Sequence, residues 1–411
     1  MEHVFEILQE RGFIQQCTHK EALTKLLSEN QVTYYVGYDP TADSLHAGSL
    51  VPIMAMAHLQ RAGHKPIAII GGGTTMVGDP SGKTEIRKFM SHETIQSNGV
   101  NILAQLKRYL NFSNGSGLFL NNANWLMPLN YIEFLRDIGR HFRVNEMIKM
   151  EAYRQRLDRE EGLSFIEFNY QLLQAYDFLY LFQEYGCVLQ MGGDDQWGNI
   201  LAGADLIRRM KGGLAHALTF PLLTTASGEK MGKTAGGAIW LDASRTSSYE
   251  FYQYWINTDD KDVERFLAYF TFLPMDEVRR LGGLKNADIR EAKEVLAYEV
   301  TQLAHGEEEA KRAAVASRAA FGGGGDLSAI PTSIIALSRL VEGIPIVDLF
   351  HEVGLTTSKG AARRLIEQGG AYINGQQVTT IGMIVNNSHV EEGAMLLRYG
   401  KKRYLRVSVR G

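Results

Sequence analysis

Apolar positions recur at helical spacing near the start of the chain. Val4, Ile7, Leu8, Phe13, Leu23, Leu26 and Leu27 predict helix over residues 4–29. Val32–Tyr38 changes character. It is rich in β-branched and aromatic residues and stops at Asp39-Pro40, the pattern of a buried strand ended by a turn. Leu50–Ala62 holds helix formers and closes on Gly63, and Pro66–Ile70 is a second β-type run. Strand, helix and strand in close succession make a βαβ unit, which predicts a parallel sheet with a right-handed crossover. Val188–Met191, Gly192-Gly193 and the helical stretch behind them repeat the pattern, and Leu218–Leu223 is a fourth strand candidate. Ligands of such sheets bind at the carboxyl ends of the strands.

After residue 245 the strand signals stop. Residues 247–320 read as helical, with an Ala, Glu, Lys and Arg-rich run from Ile289 to Ala320, and Gly322–Gly325 is a break. From Gly343 the character changes again. Ala361–Gln368 is a short basic helix, and Ala371–Ile373 before Asn374-Gly375 is a hairpin signal. These shifts predict an α/β domain over 1–245, a helical domain over 246–321, a linker over 322–342 and a small α+β domain over 343–411.

Composition narrows the function. The 411 residues are 45% hydrophobic and 22% charged, ordinary for globular chains. Forty-three Lys+Arg against 46 Asp+Glu leave a net charge of −3, so bulk positive charge cannot hold this protein to nucleic acid. Residues 343–411 nevertheless hold nine Lys+Arg against five Asp+Glu, a local excess that hints at RNA. No apolar stretch approaches the roughly 20 residues of a membrane span. Glu2, Glu6 and Glu10 argue against a secretory signal. Cys17 and Cys187 suffice for neither a disulfide framework nor a zinc site, and a reducing, cytoplasmic compartment is expected.

Two glycine-rich segments are false leads. Gly78-Asp79-Pro80-Ser81-Gly82-Lys83-Thr84 has three residues between its glycines where a P-loop needs four. Gly71-Gly72-Gly73 lacks the third glycine of a dinucleotide fingerprint, because Met76 stands there. Three other segments carry more. Pro40–Ser49 lies between a strand end and a helix start, where free N–H groups and a positive dipole end attract phosphate. His46 could donate there, and Gly48 would let a nucleotide approach the backbone; the segment also reads as an ordinary capped helix. Lys230-Met231-Gly232-Lys233-Thr234 follows the fourth strand, and two lysines three apart can reach one polyanion. On the helix predicted over 164–185, Tyr170, Gln174 and Asp177 fall at i, i+4 and i+7, on one face. That face suits an ammonium at Tyr170 and Gln174 and a ligand hydroxyl at Asp177, or is a plain solvent-facing stripe.

Together the segments resemble the His-Ile-Gly-His and Lys-Met-Ser-Lys-Ser signatures of class I aminoacyl-tRNA synthetases. Tyr35–His46, Gly78–Lys83, Phe134–Phe142, Gly192–Asn199 and Trp255–Thr258 look like bacterial tyrosyl-tRNA synthetases, and Ser358–Gly375 is similar to their ribosomal-protein-type RNA-binding domain. The resemblance spans nearly the whole chain. It implies a Rossmann-like catalytic domain, with a dimer-forming region around 125–160, then a helical anticodon-side domain and a small RNA-binding domain. Tyr35 and Asp177 would flank the tyrosine phenol. Tyr170, Gln174 and Asp79 would hold its ammonium, and Gln196 would lie by its carboxylate. Asp39, Thr41, Gly48, Gly193 and Asp195 would face ATP, with Asp195 on the ribose. His46, Ser49, Lys83, Arg87, Lys230, Lys233 and Thr234 would surround the phosphates. No resident metal is implied; Mg²⁺ would come with ATP. The expected partners are L-tyrosine, ATP, a tRNA for tyrosine and a second copy of the chain, with no membrane.

Ser49 replaces the second histidine of the first signature, Val36 stands where many relatives have cysteine, and Gly232-Lys233-Thr234 replaces Ser-Lys-Ser. Arg140, Arg143, Lys149, Arg154, Arg156 and Arg159 form a basic run that could meet tRNA or simply be a solvated face. Three rival readings stand beside this one: a tryptophanyl-tRNA synthetase, a non-catalytic RNA-binding relative and a small nucleotidyltransferase.

Overall fold

The computed structural model describes residues 3–81, 90–158, 162–226, 228, 231–234, 237–322, 330–400 and 403–410. They form two compact units. One comprises residues 1–241 with 264–280, the other 242–263 with 281–411.

The first unit is built on a six-stranded sheet: β1 (Gln16–Cys17), β2 (Thr33–Tyr38), β3 (Lys65–Ile70), β4 (Leu118–Asn121), β5 (Cys187–Gly193) and β6 (His216–Phe220). Its spatial order is β1-β6-β5-β2-β3-β4. All neighbours are parallel except β1, which runs antiparallel to β6. The chain therefore winds outward from β2 through β3 and β4, then restarts at β5 on the other side of β2. The carboxyl ends of β2 and β5 thus flank a topological switch point, where open α/β sheets leave a crevice. The central strands read as unbroken apolar runs because helices cover both faces. Tyr34, Ile67, Ile69, Leu189 and Met191 are all buried. The expected βαβ unit is present, with helix Leu50–Arg61 between β2 and β3. Two-residue β1 interrupts the helix expected over 4–29, which splits into Val4–Glu10 and Lys20–Glu29.

The helix expected over 164–185 is also two. Phe165–Phe168 is closed by a Ser164/Glu167 capping box, and Tyr170–Tyr185 starts after Asn169. It ends on Gly186 at φ +60°, where a glycine relieves the left-handed strain.

The second unit packs helices Ser248–Ile256, Ile289–His305 and Glu307–Gly322. The single run expected from Ile289 to Ala320 is broken at Gly306, φ +94°. The C-terminal sheet contains β9 (Thr332–Ala336), β11 (Ala371–Ile373), β12 (Gln376–Gln377), β14 (Ala394–Tyr399) and β15 (Arg403–Arg410), while β10 (Ile344–Pro345) pairs with β13 (Ile384–Val385). The sheet order is β12-β11-β14-β15-β9. The Asn374-Gly375 hairpin forms, with both residues at positive φ. β9 lies inside the stretch expected to be a linker, 322–342. It pairs in parallel with β15, so the small sheet begins well before residue 343. Among the described residues no helix is long and apolar enough to cross a membrane.

Candidate active site

A cavity of about 310 Å³ opens at the carboxyl ends of β2, β3 and β5. Tyr35 and Gln190 are register partners on β2 and β5, so both side chains stand on the same face of the sheet. Two residues on, Gly37 and Gly192 occupy that face and also line the cavity. A Cβ at Gly37 would meet nothing within 4 Å, so this glycine leaves room for a ligand.

One end of the cavity is set by Asp177. Its carboxylate is buried and accepts from Asn122 Nδ2 at 2.9 Å and Trp125 Nε1 at 2.7 Å. Asn122 is itself fixed: its Oδ1 accepts from Gly73 N at 2.8 Å, and its Nδ2 also reaches Thr74 Oγ1 at 3.0 Å. Burial pushes the Asp177 carboxyl up to about 7; the Asn122 and Trp125 hydrogen bonds oppose this, and the charge of Asp39 adds to it. Tyr35 packs edge-on against Phe178, with ring centres 5.4 Å apart. Its hydroxyl is buried without a hydrogen-bond partner. Burial, then the neighbouring Asp177 charge, holds its pKa well above the ordinary tyrosine value. A buried hydroxyl donor beside a buried carboxylate suits a ligand hydroxyl, which can accept from one and donate to the other.

The other polar patch centres on Asp79. Its Oδ1 accepts from Ser81 N at 2.8 Å and its Oδ2 from Gln196 Nε2 at 2.7 Å. Burial raises this carboxyl to about 6 and Asp39 adds to the rise, while the Ser81 and Gln196 hydrogen bonds pull it down. Gln174 lines the same cavity and has a buried, unpartnered Oε1; so does Gln190. Unpaired buried acceptors are uncommon in folded proteins, and here they gather in one cavity beside a carboxylate. This is an environment for a cation with several N–H donors. Tyr170, first residue of its helix, completes the wall.

Next to the cavity lie the two signature segments. His46 caps the short helix Ala47–Ser49, accepting Gly48 N–H on Nδ1 at 3.0 Å. The neutral ring therefore carries its hydrogen on Nε2 and can donate from it. Met231-Gly232 packs directly on this segment. A Cβ on Gly48 would come 3.0 Å from Met231 O, and one on Gly232 would come 2.7 Å from Gly48 N. Segments far apart in sequence thus meet backbone to backbone, at contacts only glycine permits. Beyond them, Lys233–Thr234 (β7) pairs with Gly237–Ala238 (β8) in a hairpin.

Comparison with known proteins gives the family. The family model for class I tRNA synthetases (W and Y) matches residues 27–322, and that for the tyrosine–tRNA ligase SYY-like C-terminal domain matches 329–407. The chain is 55% identical to the tyrosine–tRNA ligase of Desulfatibacillum aliphaticivorans, covering 98% of each. It is 54% identical to that of Clostridium tetani, covering 99% of each. This chain belongs to the tyrosine–tRNA ligase family. Its fold superposes on a C-terminally truncated mitochondrial tyrosyl-tRNA synthetase of Aspergillus nidulans with a TM-score of 0.71 and 33% identity, covering 78% of this chain and 95% of that one.

Within this tyrosine–tRNA ligase fold, the cavity gathers Tyr35, Asp39, Ser49, Asp79, Tyr170, Gln174, Asp177, Gly193 and Gln196. Thr41, His46, Gly48 and Asp195 are not on its lining. Thr41 and Asp195 are exposed. Lys83, Arg87 and Lys230 lie outside the described residues, and for Lys233 and Thr234 only the backbone is described. Asn122, Trp125, Gly37 and Gln190 were not among the expected residues. For Gln190 a signal existed, because strand alternation puts it on the face of Gly192. Arg156 leaves the expected basic run: it is buried and paired with Glu167 at 2.6 Å.

Proposed function

We propose that this member of the family activates L-tyrosine with ATP to tyrosyl-adenylate and pyrophosphate, then transfers the tyrosyl group to the 3′ end of its tRNA. The observation that carries the reading is Asp177, clamped by Asn122 and Trp125 beside the unpartnered hydroxyl of Tyr35. A phenol pairs the Tyr35 hydroxyl and adds a donor to Asp177, whereas phenylalanine would leave the Tyr35 hydroxyl buried and unpaired, at a cost of about 1–3 kcal/mol, and would forgo the bond to Asp177. At the other end Asp79, Tyr170 and Gln174 receive the ammonium, and Gln196 lies by the carboxylate. Asp39, Gly193 and Asp195 face the nucleotide, with Asp195 on the ribose.

The substrate carboxylate is already an anionic nucleophile, so attack on the α-phosphate needs no protein base. Rate enhancement then comes from alignment and from donors placed where negative charge develops. His46 donates through Nε2, and Ser49 adds a hydroxyl where the first signature has its second histidine. Lys83, Arg87, Lys230, Lys233 and Thr234 supply the remaining phosphate contacts. Mg²⁺ enters as part of the substrate, carried on the triphosphate.

The active form is proposed to be a cytoplasmic homodimer. Met127, Tyr131, Ile132, Val144, Leu157 and Phe165 expose apolar side chains along one stretch of the first unit, which suits burial against a second copy. One tRNA would then span both copies. ATP–pyrophosphate exchange with tyrosine, tryptophan and phenylalanine, without tRNA, tests the reaction. Exchange with tyrosine alone supports it. Exchange with tryptophan alone keeps the fold and overturns the pocket assignment, and no exchange in folded protein that binds tRNA points to a non-catalytic RNA-binding relative.

A further inference from the structure

Immediately after the second signature the chain returns to the first. Ala47 N donates to Ile239 O and Leu241 N to Leu45 O, both at 2.8 Å. These two bonds flank His46 and Trp240, which form an antiparallel bridge. In this arrangement the paired residues make no backbone bond to each other and their side chains stand closest. The imidazole and indole meet edge to face, with ring centres 6.5 Å apart at 74°. On its other side the His46 ring is fixed by Gly48 N–H at Nδ1. The same ribbon is tied to the second signature through Ile239 N, which donates to Gly232 O at 2.9 Å.

We propose that Trp240 is a positioning residue for His46: its indole holds the imidazole in the orientation used on ATP and links that orientation to the seating of Met231-Gly232. This rests on the reading that His46 contacts the phosphates. Trp240 is not among the residues that line the tyrosine cavity, so its contribution is expected in the nucleotide half of the reaction. Aromatic pairs of this kind are worth about 0.5–1.5 kcal/mol beyond burial, which corresponds to roughly a twofold to tenfold effect.

The test is a double-mutant cycle read by ATP–pyrophosphate exchange, with Trp240→Leu and Trp240→Phe each made alone and with His46→Ala. Trp240→Leu should lower kcat for activation roughly threefold to tenfold while the tyrosine dissociation constant stays unchanged, and Trp240→Phe should restore most of the rate. In the His46→Ala background the Trp240→Leu loss should shrink to less than about twofold. An undiminished loss in that background, an equal loss in tyrosine affinity, or no loss at all would overturn the proposal. If Trp240→Leu lowers the melting temperature, the cycle is read below the unfolding transition of every variant, where a merely structural loss would persist undiminished in the His46→Ala background. Should the parent enzyme show no exchange with tyrosine, the functional reading fails before the cycle begins, so the two failures are distinguishable.

Discussion

Asp177 and Asp79 divide the pH dependence of this site between two ends of one ligand. Burial raises Asp177 to about 7 and Asp79 to about 6, against an ordinary 3.8 for both. Tyrosine and phenylalanine share the ammonium that Asp79 would bind, so its titration cancels in their ratio. Only tyrosine carries the hydroxyl that would donate to Asp177. Hydrogen bonds to a charged group contribute about 1.5–3 kcal/mol, against about 0.5–1.5 for neutral pairs. The difference, about 1.4 kcal/mol, is one pKa unit or a factor of ten. The tyrosine-bound enzyme should therefore titrate about one unit below the free enzyme.

The expected result follows directly. The ratio of kcat/KM for tyrosine to that for phenylalanine, measured by exchange from pH 5 to 8.5, is level above about pH 8 and falls about tenfold between there and about pH 5. Asp177→Asn should abolish the step. Stability moves the opposite way. A carboxyl whose proton is held more tightly in the folded than in the unfolded state loses stability as pH rises between its two values. From 3.8 to about 7 is roughly three units, or about 4 kcal/mol lost across that window without ligand. Asp177→Asn has no such titration, so its melting temperature should gain on the parent as pH rises from 4 to 8. A preference flat across pH 5–8.5, with parent and variant melting curves that stay parallel, would refute the placement of Asp177 as a buried phenol acceptor.

Other expected outcomes are cheaper to check. Tyr35→Phe removes a buried hydroxyl that has no hydrogen-bond partner; unliganded stability should hold or rise by up to about 1 kcal/mol, while tyrosine binding measured by calorimetry weakens roughly threefold to tenfold and phenylalanine binding stays put. Asn122→Ala deletes one donor to Asp177 and strands the buried Gly73 N–H, so urea unfolding should show a loss of about 1–3 kcal/mol and the pH step should move above 7. Gly48→Ala would set a Cβ 2.8 Å from His46 Cε1 and 3.0 Å from Met231 O, forcing the two signatures apart. Its KM for ATP in the exchange assay should rise more than tenfold, roughly 1.4 kcal/mol or more, with tyrosine affinity unchanged.

What could be read in the chain, and what could not, follows from range. The central strands declared themselves because a strand buried on both faces is a local apolar run, as in Tyr34–Val36 and Ile67–Ile70. β1 and β9 did not. Gln16-Cys17 and Thr332–Ala336 become strands only by pairing with residues some 70 to 200 positions away. The site obeys the same division. Tyr170, Gln174 and Asp177 share a helix face, so their spacing alone brings them together. The two donors that hold Asp177 stand on the far side of β4, 52 and 55 residues earlier, where no period connects them. Yet those donors decide the chemistry. Without Asn122 and Trp125 a carboxyl this buried would titrate higher still and present a proton where the phenol needs an acceptor. Selectivity for a hydroxyl at this site therefore depends less on the helix that supplies the carboxylate than on the loop after β4 that holds its pKa down.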